Sequence, residues 1–244
     1  MKQLIAQKQK TFTALAVLAC VWLYASVPPA GSVETGAILQ GTLQTELAVH
    51  GNGNIYAPEV ILENGLYRMW YGGQGADGHD RIHYAESADG LNWNKRGVVV
   101  DNGGSNHVND PSVAKVGNIF YMYYTDAATA ENDRIALATS PDGLNWTKKG
   151  MVLDAGPWSW NSKLVGRPAV LYENGTFKMW YDTNDASGRY VGYATSLDGI
   201  SWTKHSSSVF SGGAVDVKKW NGTYFMLLEG RDGIYLAISS DGIS

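Results

Sequence analysis

Three acidic residues, Glu59, Asp110 and Asp216, occupy similar places near the beginning of related segments of the chain. Ala57 and Arg167 stand at comparable places. Two carboxyl groups can act as general acid and general base when their surroundings keep one protonated and the other ionised. We predict catalytic roles for Asp110 with Glu59 or Asp216, and substrate binding by Arg167. The structural alternatives are a turn residue at Asp110, side chains in the barrel wall for Glu59 and Asp216, and a simple Arg167–Asp110 ion pair.

A histidine and two tryptophans are further candidates for ligand binding. His107 occurs once in its segment, whereas a lone histidine is more often a surface or hydrogen-bonding residue than a ligand. Trp158 and Trp160 lie in a long loop, where exposed indole rings can stack on a sugar ring or can simply hold the loop in place. Arginines recur at one place, before the third strand of each of three units, which indicates a structural role; they are Arg81, Arg134 and Arg189.

The candidates belong to four related units, each of which predicts several short strands. The opening phrases are "YAPEVILENGLYRMWYGG" from Tyr56, "NDPSVAKVGNIFYMYYTD" from Asn109, "GRPAVLYENGTFKMWYDT" from Gly166 and "AVDVKKWNGTYFMLLEG" from Ala214. Asn-Gly pairs between alternating apolar runs are a strong hairpin signal, because both turn positions favour positive φ. A unit of four antiparallel strands over about 50 residues is typical of a β-propeller blade.

A second phrase, Ser-x-Asp-Gly-x-x-Trp, begins at Ser87, Ser140 and Ser196, and starts again at Ser239. It connects the third strand of a unit to the fourth. Strand direction alternates, so this turn lies on the face opposite the start of the first strand. Asp and Gly favour tight turns, and the Trp can pack between blades with its N–H bonded. We therefore predict a structural turn here, and a functional site at the other face.

The amino-terminal region differs in character from the units. Three lysines precede the apolar run "TFTALAVLACVWLYASV" and the break "PPAGS", which is typical of a secretory signal. An uncleaved membrane anchor is the alternative, because the run is nearly long enough to span a bilayer. We predict that residues 1–32 are this leader and that the protein is secreted, periplasmic or at the cell surface, with membrane contact only if the leader is retained.

The composition of the remainder excludes several partners. The chain carries a formal net charge of −4, and loss of residues 1–32 removes three lysines and no acids, which leaves about −7. An acidic chain disfavours nucleic acid as a partner. Cys20 is the only cysteine, so we expect neither a disulfide nor a cysteine metal site in the mature chain.

These observations predict an all-β fold: a β-propeller of four-stranded antiparallel blades over residues 33–244. The blades begin at about residues 57, 110, 167 and 214. Residues 43–50 resemble the last strand of another blade, which completes a ring from the opposite terminus. We therefore expect five blades in the full ring, with the chain truncated within the fourth repeat. A monomer is expected.

The phrases "YAPEV", "NDPSV" and "MWYxG", together with "YATSxDGxxW", resemble the five-bladed propellers of the arabinanase/β-xylosidase and invertase/levansucrase superfamily, glycoside hydrolase families 43 and 32. The resemblance implies hydrolysis of an oligo- or polysaccharide by carboxylates in the central pocket. It maps the family's pKa-tuning Asp onto Asp110. The Glu that the family uses as general acid is replaced at Gly166-Arg167-Pro168, and the general base is not seen.

That departure leaves two functions open. The first is a glycosidase in which Asp110 is a base or pKa tuner, Glu59 or Asp216 is its partner, and Arg167, Trp158, Trp160 and His107 contact the substrate. The second is a non-catalytic carbohydrate-binding or interaction propeller. No cofactor is expected, although a structural calcium ion in the central channel is left open.

Overall fold

The computed structural model describes residues 5–6, 55–129, 132–229 and 233–244. Apart from one short 3-10 turn, η1 (Ser159–Asn161), all of its regular structure is β-strand. Within these ranges, no helix has the length and apolar character needed to cross a membrane. The predicted strand at 43–50, and the predicted leader except residues 5–6, lie outside the described residues.

Four antiparallel sheets of similar size follow one another along the chain. The first strand of the chain is β1 (Ile5–Ala6). Blade I contains β2 (Ile55–Glu63), β3 (Leu66–Gln74), β4 (Asp80–Ser87) and β5 (Asn94–Val100). Blade II contains β6 (His107–Val116), β7 (Ile119–Ala127), β8 (Asp133–Ser140) and β9 (Thr147–Leu153).

Blades III and IV vary this plan at their outer edges. Blade III contains β10 (Val165–Glu173), β11 (Thr176–Asn184), β12 (Arg189–Ser196), β13 (Thr203–Lys204) and β14 (Phe210–Ser211), and the last two strands both pair with β12. Blade IV contains β15 (Gly213–Trp220), β16 (Thr223–Glu229) and β17 (Ile234–Ser239), and β1 pairs antiparallel with β17. The prediction of a propeller with four-stranded antiparallel blades is confirmed. The described residues form four blades, and the fifth stays a prediction.

The hairpin turns have the backbone that their sequence predicts. Asn64 and Gly65 connect β2 to β3 with φ values of 52° and 78°. Asn174 and Gly175 connect β10 to β11 with φ values of 50° and 79°. Positive φ at both central residues matches the right-handed twist of the flanking strands, which fixes the register of the pairs that follow.

The Asp-Gly turns have the hydrogen bonds of a structural turn. In blade II, Ser140 Oγ accepts from the backbone N–H of Asp142 at 3.2 Å and of Gly143 at 2.8 Å. The carboxylate of Asp142 accepts from the next two backbone N–H groups, at 2.9 and 2.8 Å. These bonds hold the pKa of Asp142 below its usual range. The carboxylate is therefore committed to its own turn.

The same turns bond to the preceding blade through their glycine carbonyls. Trp70 Nε1 donates to Gly143 O at 2.9 Å. Tyr123 Oη donates to Gly199 O at 2.9 Å, and Trp180 Nε1 donates to Gly242 O at 2.7 Å. Each bond joins the second strand of one blade to the turn of the next. The turn is thus a structural connection between blades, as predicted.

The core lies between adjacent blades. Trp70 and Tyr84 of blade I pack with Phe120 and Met122 of blade II, and all four side chains are buried. Similar clusters join blade II to blade III and blade III to blade IV. Burial of these large side chains favours the ring by about 25 cal/mol for each Å² of apolar surface removed from water.

The inner strands β2, β6, β10 and β15 each form one edge of their sheet and face one another. Ser112 Oγ on β6 accepts from the backbone N–H of Val170 on β10 at 2.9 Å. Lys218 Nζ on β15 donates to Glu59 Oε1 on β2 at 2.9 Å. Within each blade, the inner strand starts beside the end of the second strand, which runs antiparallel to it. The starts of the four inner strands therefore lie at the same face of the propeller, which is here called the rim.

Candidate functional site

Each inner strand holds one left-handed residue where a β-bulge interrupts its pairing with the neighbouring strand. The four rim positions are Ala57 (φ 49°), Asp110 (φ 50°), Arg167 (φ 47°) and Ala214 (φ 47°). Positive φ is costly for residues with a side chain and often marks a functional site. A bulge also redirects the side chain. The residues that differ between the four phrases therefore share one constrained backbone position, a conformation that the sequence did not predict.

Asp110 is a buried carboxyl group at this rim. Only 12% of its side chain is exposed. Burial raises its pKa to about 6, against the opposing effects of Arg167 and of the hydroxyl of Thr125. Thr125 Oγ1 donates to Asp110 Oδ2 at 3.1 Å and accepts from the backbone N–H of Arg167 at 2.8 Å. A carboxyl group with this pKa can exchange a proton near neutral pH.

Two further carboxyl groups, Asp133 and Asp182, act electrostatically on Asp110, and both raise its pKa. Asp133 begins β8, and its own pKa is raised first by burial and then by the charge of Asp182. The predicted partners Glu59 and Asp216 are not among the principal influences on Asp110. The structure thus brings Asp110 together with acids that the sequence did not assign to the site.

Arg167 lies between Asp110 and Asp182. Its Nη1 is 3.0 Å from Asp182 Oδ2, whereas its Nε is 3.9 Å from Asp110 Oδ2. The guanidinium therefore pairs mainly with Asp182, and its contact with Asp110 is the longer one. Its side chain is 38% exposed, so part of it faces the rim where a ligand oxygen could bind.

The three recurring arginines divide into two groups. Arg81 binds Asp77 and Asp101, and Arg134 pairs with Asp154, so both connect loops to the blade as predicted. Arg189 differs, because it binds the buried Asp182 through Nε and Nη2 and reaches Glu229 of blade IV through Nη1 at 2.8 Å. It belongs to the charge cluster around Arg167; the sequence indicated only a structural role.

Glu59 and Asp216 meet at a lysine instead of at Asp110. Lys218 Nζ is 2.9 Å from Glu59 Oε1 and 3.3 Å from Asp216 Oδ1. Ser112 Oγ donates to the other oxygen of Glu59 at 3.3 Å. Burial raises the pKa of Glu59, and Lys218 opposes this effect. Glu59 and Ser112 each lie two residues beyond a rim position. The pair therefore forms the next layer along the inner strands, here called the inner level.

His107 belongs to a polar cluster between blades I and II. Its Nδ1 accepts from the backbone N–H of Asp80 at 3.1 Å and lies 3.2 Å from Asp80 Oδ2. Tyr56 Oη donates to the same carboxylate oxygen at 2.6 Å, and Asn109 Nδ2 donates to Tyr56 Oη at 3.0 Å. Tyr56 and Asn109 flank the rim positions Ala57 and Asp110 in sequence. His107 therefore lies near the rim but is held by protein groups.

Trp158 and Trp160 form a stacked pair, with ring centroids 5.9 Å apart and planes inclined by 8°. Trp160 also makes a T-shaped contact with Tyr190, the residue after Arg189, and its Nε1 donates to Ser206 O at 3.2 Å. Buried Asn161 fixes the loop, because its Nδ2 donates to Tyr181 Oη at 3.1 Å. Both indoles are partly exposed. The pair is thus held against blade III, and part of each indole ring stays exposed.

The sequence analysis did not assign Thr125 and Asp182 to the site, although the sequence contains a signal for them. They occupy the same place in their phrases, directly after "MYY" in blade II and "MWY" in blade III. Blade I has Gly72 and blade IV has Glu229 at this place. The register pairs Gly166 with Asp182, so this residue lies beside the rim position. Divergence at this second position could have identified both residues.

Two other observations concern the structure away from the rim. An apolar cavity lies between blades III and IV beside the last Asp-Gly turn; it is lined in part by Trp180, Val217, Tyr224, Met226 and Gly242. Among the described residues, no cluster of three or more His, Cys, Asp or Glu side chains could hold a metal ion. In the inner strands, the positive charge beside Glu59 and Asp216 comes from Lys218.

Comparison with curated proteins finds partial relatives. The chain is 36% identical over 143 residues to an uncharacterized protein of Mycobacterium tuberculosis (strain H37Rv), a match that covers 54% of this chain and 47% of that protein. It is 31% identical over 113 residues to a 1,2-β-oligomannan phosphorylase of Thermoanaerobacter sp. (strain X514), with 41% and 38% covered. The chain thus spans about half the length of the first of these relatives. No family model matches.

Solved structures match over most of the chain. A family 117 glycoside hydrolase from Zobellia galactanivorans superposes with a TM-score of 0.70 at 22% identity, covering 80% of this chain and 69% of that one. A thermostable family 43 glycoside hydrolase gives 0.65 at 18% identity, with 84% and 76% covered. A β-1,2-mannobiose phosphorylase from Listeria innocua gives 0.64 at 14% identity, with 78% and 59% covered. The chain therefore has the β-propeller fold that these solved structures share.

Proposed function

We propose that the rim binds an oligo- or polysaccharide and that Asp110 exchanges a proton with the glycosidic oxygen. The observation that carries this proposal is the buried Asp110 carboxyl, with its pKa raised to about 6, at a constrained rim position beside an arginine. Cleavage of a glycosidic bond needs a carboxylic acid that is still partly protonated at the working pH. The fold shared with glycoside hydrolases supports a carbohydrate as the ligand.

Hydrolysis also requires a second carboxylate, which acts on water or on the sugar directly. Asp133 is a candidate because it acts electrostatically on Asp110 and begins β8 of the same blade. Asp216 stays a candidate because a third of its side chain is exposed. Glu59 is less suited, since it is buried and bonded to Lys218 and Ser112.

Two groups of residues would bind the substrate around this centre. Arg167 offers a partly exposed guanidinium that can bind a sugar oxygen while Asp182 holds its other side. The stacked Trp158–Trp160 pair offers an aromatic surface of the kind on which sugar rings stack. Arg167 lies on β10 of blade III, and the two tryptophans lie in the loop that leads into this strand. His107 adds a polar group between blades I and II.

The test is an activity screen on aryl glycosides and on oligosaccharides that include β-1,2-linked mannose, with Asp110→Asn as the informative variant. Asp142→Asn is the matched control, because it makes the same chemical change in a structural turn. We expect release of sugar by the unchanged protein and by Asp142→Asn, and a loss of at least about 100-fold in Asp110→Asn. Equal rates in both variants would refute a role for Asp110.

Phosphate should be included in one arm of the screen. Two of the similar proteins are named as phosphorylases of β-1,2-linked mannosides. Arg167 stands where the hydrolase resemblance places a glutamate, and a guanidinium suits a phosphate oxygen better than a second acid does. Sugar 1-phosphate formed only with inorganic phosphate would favour phosphorolysis, in which phosphate replaces the attacking water. Free sugar formed without phosphate would favour hydrolysis.

A non-catalytic carbohydrate-binding propeller is the second proposal. The bond between Glu59 and Lys218 favours it, because that bond withdraws one expected carboxylate from proton transfer. Calorimetry with the same oligosaccharides would then detect binding without any product. Product that accumulates in proportion to the purified protein would exclude it.

We further propose that the protein acts outside the cytoplasm as a monomer, in a ring completed by a fifth blade. Residues 1–32 support export through their basic and apolar segments. Fractionation of producing cells, with sequencing of the mature amino terminus, tests the location. An intact leader on a cytoplasmic protein would contradict it.

A further inference from the structure

Asp182 is the central charge of a cluster that extends across three blades. Its side chain is fully buried. Arg189 Nη2 donates to Asp182 Oδ2 at 2.6 Å, and Arg167 Nη1 donates to the same oxygen at 3.0 Å. The backbone N–H of Ala214 approaches this oxygen at 3.4 Å. Two guanidinium groups and a backbone N–H therefore hold this buried carboxylate in place.

The cluster orders charges of alternating sign from blade IV to Asp110. Glu229 binds Arg189, Arg189 binds Asp182, and Asp182 binds Arg167. Gly213 leaves room for these groups, since a β-carbon there would lie 2.3 Å from Arg189 Nε and 2.4 Å from Asp182 Oδ1. The tight fit leaves Asp182 little freedom to move.

Arg167 has two carboxylates within reach but favours one of them. Its guanidinium is 3.0 Å from Asp182 and 3.9 Å from Asp110. Its backbone N–H is held by Thr125, and while its Nη1 is bonded to Asp182 its Nε stays 3.9 Å from Asp110. The groups that face Asp110 are therefore Thr125, Arg167, Asp133 and Asp182, together with the phenol of Tyr56.

We propose that Asp182 is a positioning residue, which holds the Arg167 guanidinium away from direct contact with Asp110. Arg189 and Glu229 set the strength of that hold, because each neutralises its neighbour in turn. Asp110 then keeps an exchangeable proton while Arg167 stays available to a ligand. The catalytic part of this inference rests on the function proposed for Asp110, whereas its electrostatic part does not.

The alternating charges give variants opposite effects on the pKa of Asp110. Asp182→Asn releases Arg167 toward Asp110 and removes a repelling charge, so the pKa should fall by about one unit or more, a tenfold change in acidity. Arg189→Gln leaves Asp182 less neutralised, so the pKa should rise. Glu229→Gln leaves Arg189 more fully to Asp182, so a smaller fall is expected. Loss of packing alone gives no reason for the shift to reverse sign between Arg189→Gln and the two acid-to-amide variants.

The experiment is an NMR titration of the protein labelled with ¹³C at the aspartate carboxyl groups, with the Asp110 signal assigned from Asp110→Asn. Arg81→Gln is the matched control, because Arg81 occupies the equivalent place in blade I and forms its ion pairs with the loop acids Asp77 and Asp101. Its titration of Asp110 should match that of the unchanged protein. If Asp182→Asn does not fold, the opposite signs for Arg189→Gln and Glu229→Gln decide. Unchanged or equally directed shifts overturn the proposal.

The titration separates this inference from the proposed function, because it needs no substrate. Opposite pKa shifts in a protein with no detectable activity would support the positioning of Arg167 and refute catalysis. If the protein is active, the part of its pH–rate profile that depends on ionisation of Asp110 should move to lower pH in Asp182→Asn. The size of this move should equal the pKa shift measured by NMR. A profile that stays in place would refute the role of Asp182 in catalysis and leave the activity itself intact.

Discussion

Replacement of Asp110 by Asn should stabilise the protein at neutral pH. The change removes the charge and keeps the shape, and Asn tolerates the left-handed backbone at φ 50°. An amide can still accept the hydrogen bond that Thr125 donates to the carboxylate. The main consequence is therefore that the folded state no longer contains a buried carboxylate.

The size and sign of the effect follow from the pKa of Asp110. A rise from about 4 in the unfolded chain to about 6 in the folded protein corresponds to about 3 kcal/mol. Between these values the folded state binds more protons than the unfolded state, so stability falls as pH rises. Below about pH 4 the carboxyl is neutral in both states and the penalty is absent. Asp110→Asn lacks the penalty, so its advantage should grow from pH 4 and level off above pH 6.

Urea denaturation of both proteins at several values from pH 4 to pH 8 measures this difference. Asp142→Asn supplies a control of opposite sign, because the carboxylate of Asp142 is stabilised by its turn. Its disadvantage should stay nearly constant from pH 8 to about pH 4, because a lowered pKa loses its stabilising effect only as the pH falls below the ordinary value of an aspartate. A constant free-energy difference for Asp110→Asn over the whole range, or one that declines as pH rises, would refute a raised pKa at the rim.

Three further variants test the structural turns between blades, the Glu59–Lys218 ion pair of the inner level, and the Trp158–Trp160 pair. Gly199→Ala should lose about 1–3 kcal/mol more stability than Gly175→Ala in thermal or urea unfolding. Both glycines have similar positive φ, but only at Gly199 would a β-carbon meet a neighbour, a hydroxyl 2.6 Å away; equal losses would contradict this. Lys218→Met should cost about 3–5 kcal/mol because it leaves buried Glu59 unpaired, and adding Glu59→Gln should recover most of it, unless the pair is unimportant. Trp160→Ala should raise KM for an oligosaccharide about tenfold without changing kcat, which corresponds to about 1.4 kcal/mol of stacking; an unchanged KM would exclude this surface.

The fold could be predicted because its signals are local. Asn-Gly pairs fixed the hairpins, and Asp-Gly turns marked the blades, since both depend on a few adjacent residues. Asp110 and Arg167 could be singled out because the phrases differ there. The partners of these residues could not, because Thr125 and Asp182 come beside them only through the pairing of neighbouring strands. Likewise, the neutralisation of Glu59 depends on a residue 159 positions further along the chain.

The rim positions show how one backbone can carry different chemistry in each blade. Ala57 and Ala214 hold the same left-handed conformation as Asp110 and Arg167, and a methyl side chain offers no hydrogen bond to support it. The strand pairing around each bulge must therefore impose the strain, independently of the side chain. Because the conformation does not depend on the residue, substitutions at these positions can change charge and shape without loss of the fold. The rim positions can therefore differ in chemistry between blades, although the buried carboxylate of Asp110 costs about 3 kcal/mol at neutral pH. Of the four rim positions that the structure describes, Asp110 and Arg167 are the two with ionisable side chains.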